Sequence, residues 1–213
     1  MTRDLFESER SAVPLADGAV LLPGFALPFE EEILAGVAAV TAAAPFRHMT
    51  TPGGFRMSVA MTNCGNAGWI TDRRGYRYDA ADPETGNDWP AMPPAFGALA
   101  TRAATAGGFP SFAPDACLIN RYEPGARLTL HQDRNERDYA APIVSVSLGL
   151  PATFLFGGSE RTDKARRVPL AHGDVVVWGG PACLAFHGVA PLKDGTHPLL
   201  GRARINLTFR KAL

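Results

Sequence analysis

The chain has 213 residues, 46% of them hydrophobic and 20% charged, which suits one domain with a sizeable core. Basic and acidic residues balance at 21 each, so no global field draws the protein to a polyanion or an acidic lipid surface, and any such attraction must be local. Cys64, Cys117 and Cys183 show no C-x-x-C spacing and read as reduced thiols rather than a disulfide frame or a zinc site. The start, MTRDLFESER, is charged at once and unlike a signal peptide, and no apolar run reaches about 18 residues, so the chain reads as cytoplasmic with no membrane partner.

Taken in order, residues 18–26 predict a short strand leading into a helix, PFEEEILAGVAAVTAAA. Pro28 and the acids Glu30 to Glu32 suit its N-terminus, Phe29, Ile33, Val37 and Val40 form one apolar stripe, and Pro45 ends it. A second helix is expected over 93–106, with Phe96, Leu99, Ala103 and Ala106 inward and Gly107 as its C-cap. Between them, 46–92 carries Gly53-Gly54, a strand expected at 56–62, and a stretch rich in Gly, Pro, Asp and Arg that still holds Trp69, Tyr76, Tyr78 and Trp89. A long segment with little core of its own suits a lid. Its aromatics either stack on a flat ring or anchor the loop, and both readings stand at this point.

From about 115 the pattern changes to short strands at 116–122, 126–131, 142–149, 152–156, 167–170, 174–178, 183–188 and 203–210, separated by turns such as Pro124-Gly125 and Gly157-Gly158. Such a run without intervening helices predicts a double-sheet jelly roll or barrel, with the two helices covering one sheet: a mainly β fold with flanking helices. We expect one integrated domain in which 1–114 forms the covering extension and lid (about 46–92) and 115–213 the catalytic jelly roll.

Within that β region, His131 and Asp133 in LTLHQDRNE and His187 in CLAFHGV make two imidazoles and one carboxylate, the ligand set of a non-haem Fe(II) oxygenase. On a strand, residues i and i+2 share a face, so His131 and Asp133 are expected to converge on one ion while His187 returns on a neighbouring strand. In the closing RARINLTFR, Arg204, Asn206, Thr208 and Arg210 share one face, the two arginines about 20 Å apart along the strand. They either form edge salt bridges or engage opposite ends of an elongated dicarboxylate. Asn120 and Tyr122, another i, i+2 pair, would add neutral hydrogen bonds to the same ligand. His48, His172 and His197 have no comparable neighbours in sequence, and His172 reads as a structural turn residue. The clusters Arg73, Arg74 and Arg77, then Arg134 and Arg137, then Arg161, Lys164, Arg166 and Arg167 are either solvated loops or local phosphate contacts.

Together LTLHQDRNE, APIVSVSLGLPATFLFGG, HGDVVVWGG, FHGVAPL and RINLTFR resemble the AlkB family of Fe(II)/2-oxoglutarate-dependent dealkylases, most strongly over 115–210. The resemblance implies a double-stranded β-helix core with a nucleotide-recognition lid. It implies His131, Asp133 and His187 as iron ligands, Asn120 and Arg210 near the keto-acid end of 2-oxoglutarate, and Tyr122, Arg204 and Asn206 at its distal carboxylate. It further implies oxidative demethylation of 1-methyladenine and 3-methylcytosine with O2, giving succinate, CO2 and formaldehyde.

The methyl sits on the base-pairing edge, so the expected partner is alkylated single-stranded DNA, with RNA or a duplex with a flipped base left open, and the enzyme a monomer. Trp69, Tyr76 and Tyr78 are the lid residues expected to meet the base, with His131 as opposing wall, Met61 as pocket floor, and Arg161 reaching phosphate or base. One departure matters. The family pattern resembles H-x-D-x-D, whereas the last position here is Asn135. It keeps an acceptor but loses the charge suited to a cationic base, which predicts a weaker or shifted preference unless Glu136 compensates. Another hydroxylase substrate, a protein side chain or small metabolite, is the rival enzyme reading. A non-catalytic jelly-roll module is the rival outside enzymes, against which the intact triad and both arginines argue.

Overall fold

In the computed structural model of the chain, residues 11–136 and 138–213 are described; the charged start MTRDLFESER and Arg137 lie outside them. A seven-stranded sheet runs β1 (Val13–Ala16), β2 (Ala19–Leu22), β11 (Val175–Trp178), β8 (Ile143–Gly149), β13 (Arg204–Arg210), β6 (Ala116–Tyr122), β3 (Ala60–Gly65). A four-stranded sheet runs β10 (Arg166–Leu170), β9 (Ala152–Phe156), β12 (His187–Val189), β7 (Leu128–His131). A separate hairpin pairs β4 (Gly68–Asp72) with β5 (Gly75–Asp79). Strands β1 to β3 sit in the same sheet as β6, β8, β11 and β13, so the large sheet is built from both halves of the chain.

Side-chain alternation divides the large sheet into two unlike faces. Ile205, Leu207 and Phe209 on β13, Cys117 and Ile119 on β6, and Val144, Val146 and Leu148 on β8 form an apolar layer with α1 (Glu30–Ala43) and α2 (Pro94–Ala106). The alternate residues Arg204, Asn206, Thr208, Arg210, Asn120, Tyr122 and Ser145 line a cavity shared with the smaller sheet. The helices therefore bury the greasy face and free the polar one for a ligand.

Several boundaries differ from the sequence expectation, each for a local reason. The strand expected at 18–26 is a hairpin, β1 with β2, turned at Gly18, whose φ is +74°. Pro28 sits in a 3-10 turn, Leu27–Phe29, and the α-helix proper starts at Glu30. Ala44, before Pro45, is extended as the proline ring demands. Gly107 does end α2, yet its φ is −83°; a Cβ there would stand 2.8 Å from Val177 Cγ1, so it is close approach that the glycine permits. The strand expected at 56–62 lies at 60–65, and that expected at 183–188 shortens to β12 after a 3-10 turn at Gly180–Ala182. Trp89, read with the lid aromatics, is core: it is 5% exposed, donates its indole N–H to Asp79 O at 3.0 Å, and has Arg47 stacked on its ring. His172 and His197 are not isolated but stack at 4.5 Å, with His172 Nε2 2.5 Å from Glu30 Oε2. Among the described residues no helix is long and apolar enough to cross a membrane.

Candidate active site

Strand register brings the triad together. His187 on β12 pairs directly with His131 on β7, which sets the two rings 4.5 Å apart between centroids. Gly188 permits this approach, since a Cβ there would stand 2.7 Å from Leu128 O. Each imidazole has its Nδ1 against a backbone carbonyl, His131 with Thr129 O at 2.8 Å and His187 with Ala185 O at 3.0 Å. A carbonyl can only accept, so both Nδ1 atoms carry the proton and both Nε2 lone pairs are free to bind an ion. Those atoms point at Asp133, 3.9 Å from Oδ1 and 3.7 Å from Oδ2, and the three ligand atoms lie within 4.8 Å of one another. Burial pushes the His187 pKa down to about 4, helped by neighbouring His131, so the ring is neutral and ready to ligate at physiological pH.

Asp133 is placed differently from the strand-alternation argument. β7 ends at His131, so Asp133 lies in the segment beyond it. Arg210 positions it instead, donating to Asp133 Oδ2 from Nη2 at 2.6 Å and from Nε at 3.1 Å. Burial pushes the Asp133 carboxyl up, but Arg210 and both histidines outweigh it and hold the group well below the usual carboxylate range. Arg210 Nε also lies 3.2 Å from Glu136 Oε1, which accepts a 2.8 Å hydrogen bond from the Tyr78 hydroxyl. Two buried carboxylates thus share one guanidinium, and the net negative charge that remains suits a divalent cation. Glu136 does not compensate for Asn135: it is committed to Arg210 and Tyr78.

The far end of β13 has the opposite imbalance. Arg204 is 1% exposed and, among the described residues, has no carboxylate partner. Its Nη2 donates to Ser147 Oγ at 2.9 Å, its plane lies over the Tyr122 ring at 4.9 Å, and Nε and Nη1 are buried with no partner. Burial pushes the Tyr122 pKa up to about 12, so the hydroxyl stays protonated as a free donor. Asn120 Oδ1 is likewise unpartnered, while its amide donates to Asn206 Oδ1 at 3.2 Å. An orphaned guanidinium beside an orphaned hydroxyl could seat a carboxylate, and with the triad lining the same cavity these residues fit a keto dicarboxylate whose other end would lie at the iron site. Asn206 lines the cavity, but its own amide is spent on Ser145 Oγ, Val146 O, Asn120 and Thr208.

The cavity, about 450 Å³, is lined by the triad and by Thr51, Met61, Trp69, Tyr76, Leu128 and Asn135. Trp69 and Tyr76 stack at 5.7 Å and 25°. Asn135 bridges them: its Oδ1 accepts from the Trp69 indole N–H and its Nδ2 donates to Tyr76 O, both at 3.4 Å. Tyr78 and Arg161 do not line the cavity. Tyr78 turns to Glu136, and the exposed Arg161 has its guanidinium 5.9 Å from the Phe186 ring. Sequence reasoning missed Gln132, which donates to Leu184 O at 2.5 Å and ties the ligand segment to the turn before His187, and Trp178, 4.9 Å from His187. Gln132 stands inside the H-x-D motif, a signal that could have found it; Trp178 gave none, being one apolar strand residue among several.

Fold and site together define an oxygenase whose iron is held by two histidines and an aspartate. The chain matches the 2OG-Fe(II) oxygenase superfamily over residues 18–210. Over 210 residues it is 58% identical to alpha-ketoglutarate-dependent dioxygenase AlkB of Escherichia coli (strain K12), which spans 98% of this chain and 97% of that one. It is 33% identical over 174 residues to the DNA N(6)-methyladenine demethylase ALKBH1C of Arabidopsis thaliana, covering 70% of this chain and 38% of that protein. The solved structure of OsALKBH1 superposes with a TM-score of 0.83 at 30% identity, covering 94% of this chain and 100% of that one. The chain belongs to the AlkB family of 2OG-Fe(II) dioxygenases. It is an Fe(II)- and 2-oxoglutarate-dependent dioxygenase that uses O2, with His131, Asp133 and His187 as its iron site.

Proposed function

We propose that this dioxygenase removes N-methyl groups from the base-pairing edge of adenine and cytosine, 1-methyladenine and 3-methylcytosine, in single-stranded DNA. The observation that carries the reading is the stacked Trp69–Tyr76 pair, which lines the same cavity as the iron ligand His131. A planar base slid between indole and imidazole would present its edge to the metal, and such stacking is indifferent to sequence. A base-pairing edge is reachable only in a single strand or a flipped nucleotide. The name of the Arabidopsis relative, a DNA demethylase, agrees with a nucleic-acid substrate. In this reading 1–114 supplies the covering helices and the hairpin, 115–213 supplies the chemistry, and the enzyme acts as a cytoplasmic monomer.

When iron, 2-oxoglutarate and O2 are bound, the centre supplies the oxidation that hydroxylates the N-methyl group, yielding succinate, CO2, formaldehyde and the unmodified base. The chain's own residues do the positioning. Arg204 and the Tyr122 hydroxyl would hold the distal carboxylate, and Asn120 and Arg210 would flank the keto-acid end. Leu128, Val189 and Met61 line the cavity; in this reading the first two give apolar walls beside the iron ligands and Met61 the floor under the base. Glu136 being committed elsewhere, Asn135 faces the base with no negative charge.

Formaldehyde release from a single-stranded oligonucleotide bearing 1-methyladenine, with Fe(II) and 2-oxoglutarate, tests the reading. Release from the parent protein that vanishes in His131→Ala is expected. Silence on the oligonucleotide while succinate still accumulates slowly would reject the substrate. With Asn135→Asp, kcat/KM on the cationic lesions should rise about fivefold relative to a neutral lesion, the worth of adding charge to one hydrogen bond. Equal ratios in the two proteins would remove Asn135 as the specificity residue.

A further inference from the structure

The β4–β5 hairpin and the carboxylate of the iron ligand Asp133 are joined by one continuous chain of contacts, two hydrogen-bonded links with an ion pair between them. We propose that Tyr78 and Glu136 are positioning residues that couple the seating of the β4–β5 hairpin to the iron ligand Asp133. The proposal rests on the reading above only in taking the hairpin as the substrate-facing element.

Tyr78 stands opposite Trp69 in the hairpin register and two residues from Tyr76, so all three share a face. Trp69 and Tyr76 reach the cavity; Tyr78 does not, and neither does Glu136. Tyr78 donates to Glu136 Oε1 at 2.8 Å, the same oxygen lies 3.2 Å from Arg210 Nε, and Arg210 Nη2 donates to Asp133 Oδ2 at 2.6 Å. Burial and the adjoining carboxylates keep the Tyr78 hydroxyl protonated, so it can only donate here.

Two features make this a coupling and not only an anchor. Arg210 is shared between two carboxylates, so whatever holds Glu136 decides how firmly the guanidinium turns to Asp133. Glu136 is also imperfectly held, since its Oε2 is buried with no partner while Oε1 takes both the Tyr78 hydrogen bond and the Arg210 ion pair. Withdrawing the Tyr78 hydroxyl leaves Glu136 with Arg210 alone and draws the guanidinium away from Asp133. The adjoining residue shows which contacts can yield: Asn135 holds Trp69 and Tyr76 through exposed 3.4 Å bonds that an entering base can replace. The 2.8 Å Tyr78–Glu136 bond is part-buried and off the cavity, so an entering base does not compete for it.

Coupling is reciprocal, so an ion that fixes Asp133 must also steady the hairpin. Hydrogen exchange of residues 68–79 in the intact protein, with and without Mn(II) plus 2-oxoglutarate, reads this directly and needs no nucleic acid. Loading should slow hairpin exchange in the parent about fivefold or more, the usual range of allosteric coupling. In Tyr78→Phe, which keeps the ring and loses only the hydroxyl, the slowing should vanish and Mn(II) affinity should fall. Glu136→Gln, which keeps an acceptor for Tyr78 but not the charge on Arg210, should lose the slowing as well. Equal slowing in the parent and Tyr78→Phe, or none in the parent, overturns the proposal. A hairpin that exchanges faster in Tyr78→Phe by the same factor with and without Mn(II), at unchanged Mn(II) affinity, marks a plain anchor and overturns it too. Failure of the substrate reading is separate: it shows as absent formaldehyde while the exchange response persists.

Discussion

Arg204 and Arg210 lie on one strand, face one cavity and are both buried, yet their surroundings are opposite. Arg210 meets two carboxylates, Asp133 and Glu136; Arg204 meets a serine hydroxyl and the face of a tyrosine. One end of the cavity therefore carries surplus negative charge and the other an uncompensated cation. Buried charge left in this state destabilises a fold unless something offsets it, and ligands would do so: a divalent ion at one end and, in the proposed reading, a carboxylate at the other. An elongated dicarboxylate cosubstrate would answer both, with Arg204 holding one carboxylate and the iron site the other end.

Replacing each arginine breaks the comparison in a different way. Arg210→Met strands Asp133 and Glu136 without a counter-ion, so the ligand-free protein should lose about 3–5 kcal/mol in urea denaturation, along with activity. Arg204→Met removes a charge that has no partner, so the ligand-free protein should be at least as stable as the parent. What it should lose is the response to cosubstrate: with Mn(II) present, 2-oxoglutarate at a hundred times Kd stabilises the parent by about 2.7 kcal/mol, and the variant should show almost none. A variant destabilised as much as Arg210→Met would mean that Arg204 has a counter-ion in the folded protein after all.

Acid sharpens the metal end. The folded-state pKa of His187 is depressed to about 4 from 6.5, so the unfolded chain takes up a proton in that window and the folded protein does not. Its contribution is full above about pH 6.5 and is lost as pH falls toward 4. The metal-free protein should lose stability over that range, and His187→Gln should flatten the profile. The smallest effect is expected away from both ends. Phe55 is 76% exposed on the turn that follows Thr51, so Phe55→Ser should change stability by no more than about 0.5 kcal/mol.

Residue types and their spacing were enough to specify the chemistry and the class of fold. H-x-D with a distant His, and a closing strand with arginines on its polar face, carry the ligand set in residue type and spacing, and the short strands punctuated by glycine and proline carry the jelly roll. Where each polar atom is spent follows only from the packed sheets. Asp133 lies beyond the end of β7 and owes its place to Arg210, a partner 77 residues away in sequence. Asn206 has the alternation of a ligand-binding residue but uses its amide on the neighbouring strands. Trp69, Tyr78 and Trp89 read alike in the sequence, as aromatics in a polar segment, and end as cavity wall, hydrogen-bond donor to Glu136 and core. Alternation assigns a side chain to a face of a strand, but its partner is set by register, by strand ends and by which charges remain unpaired, and these exist only once the sheets have met.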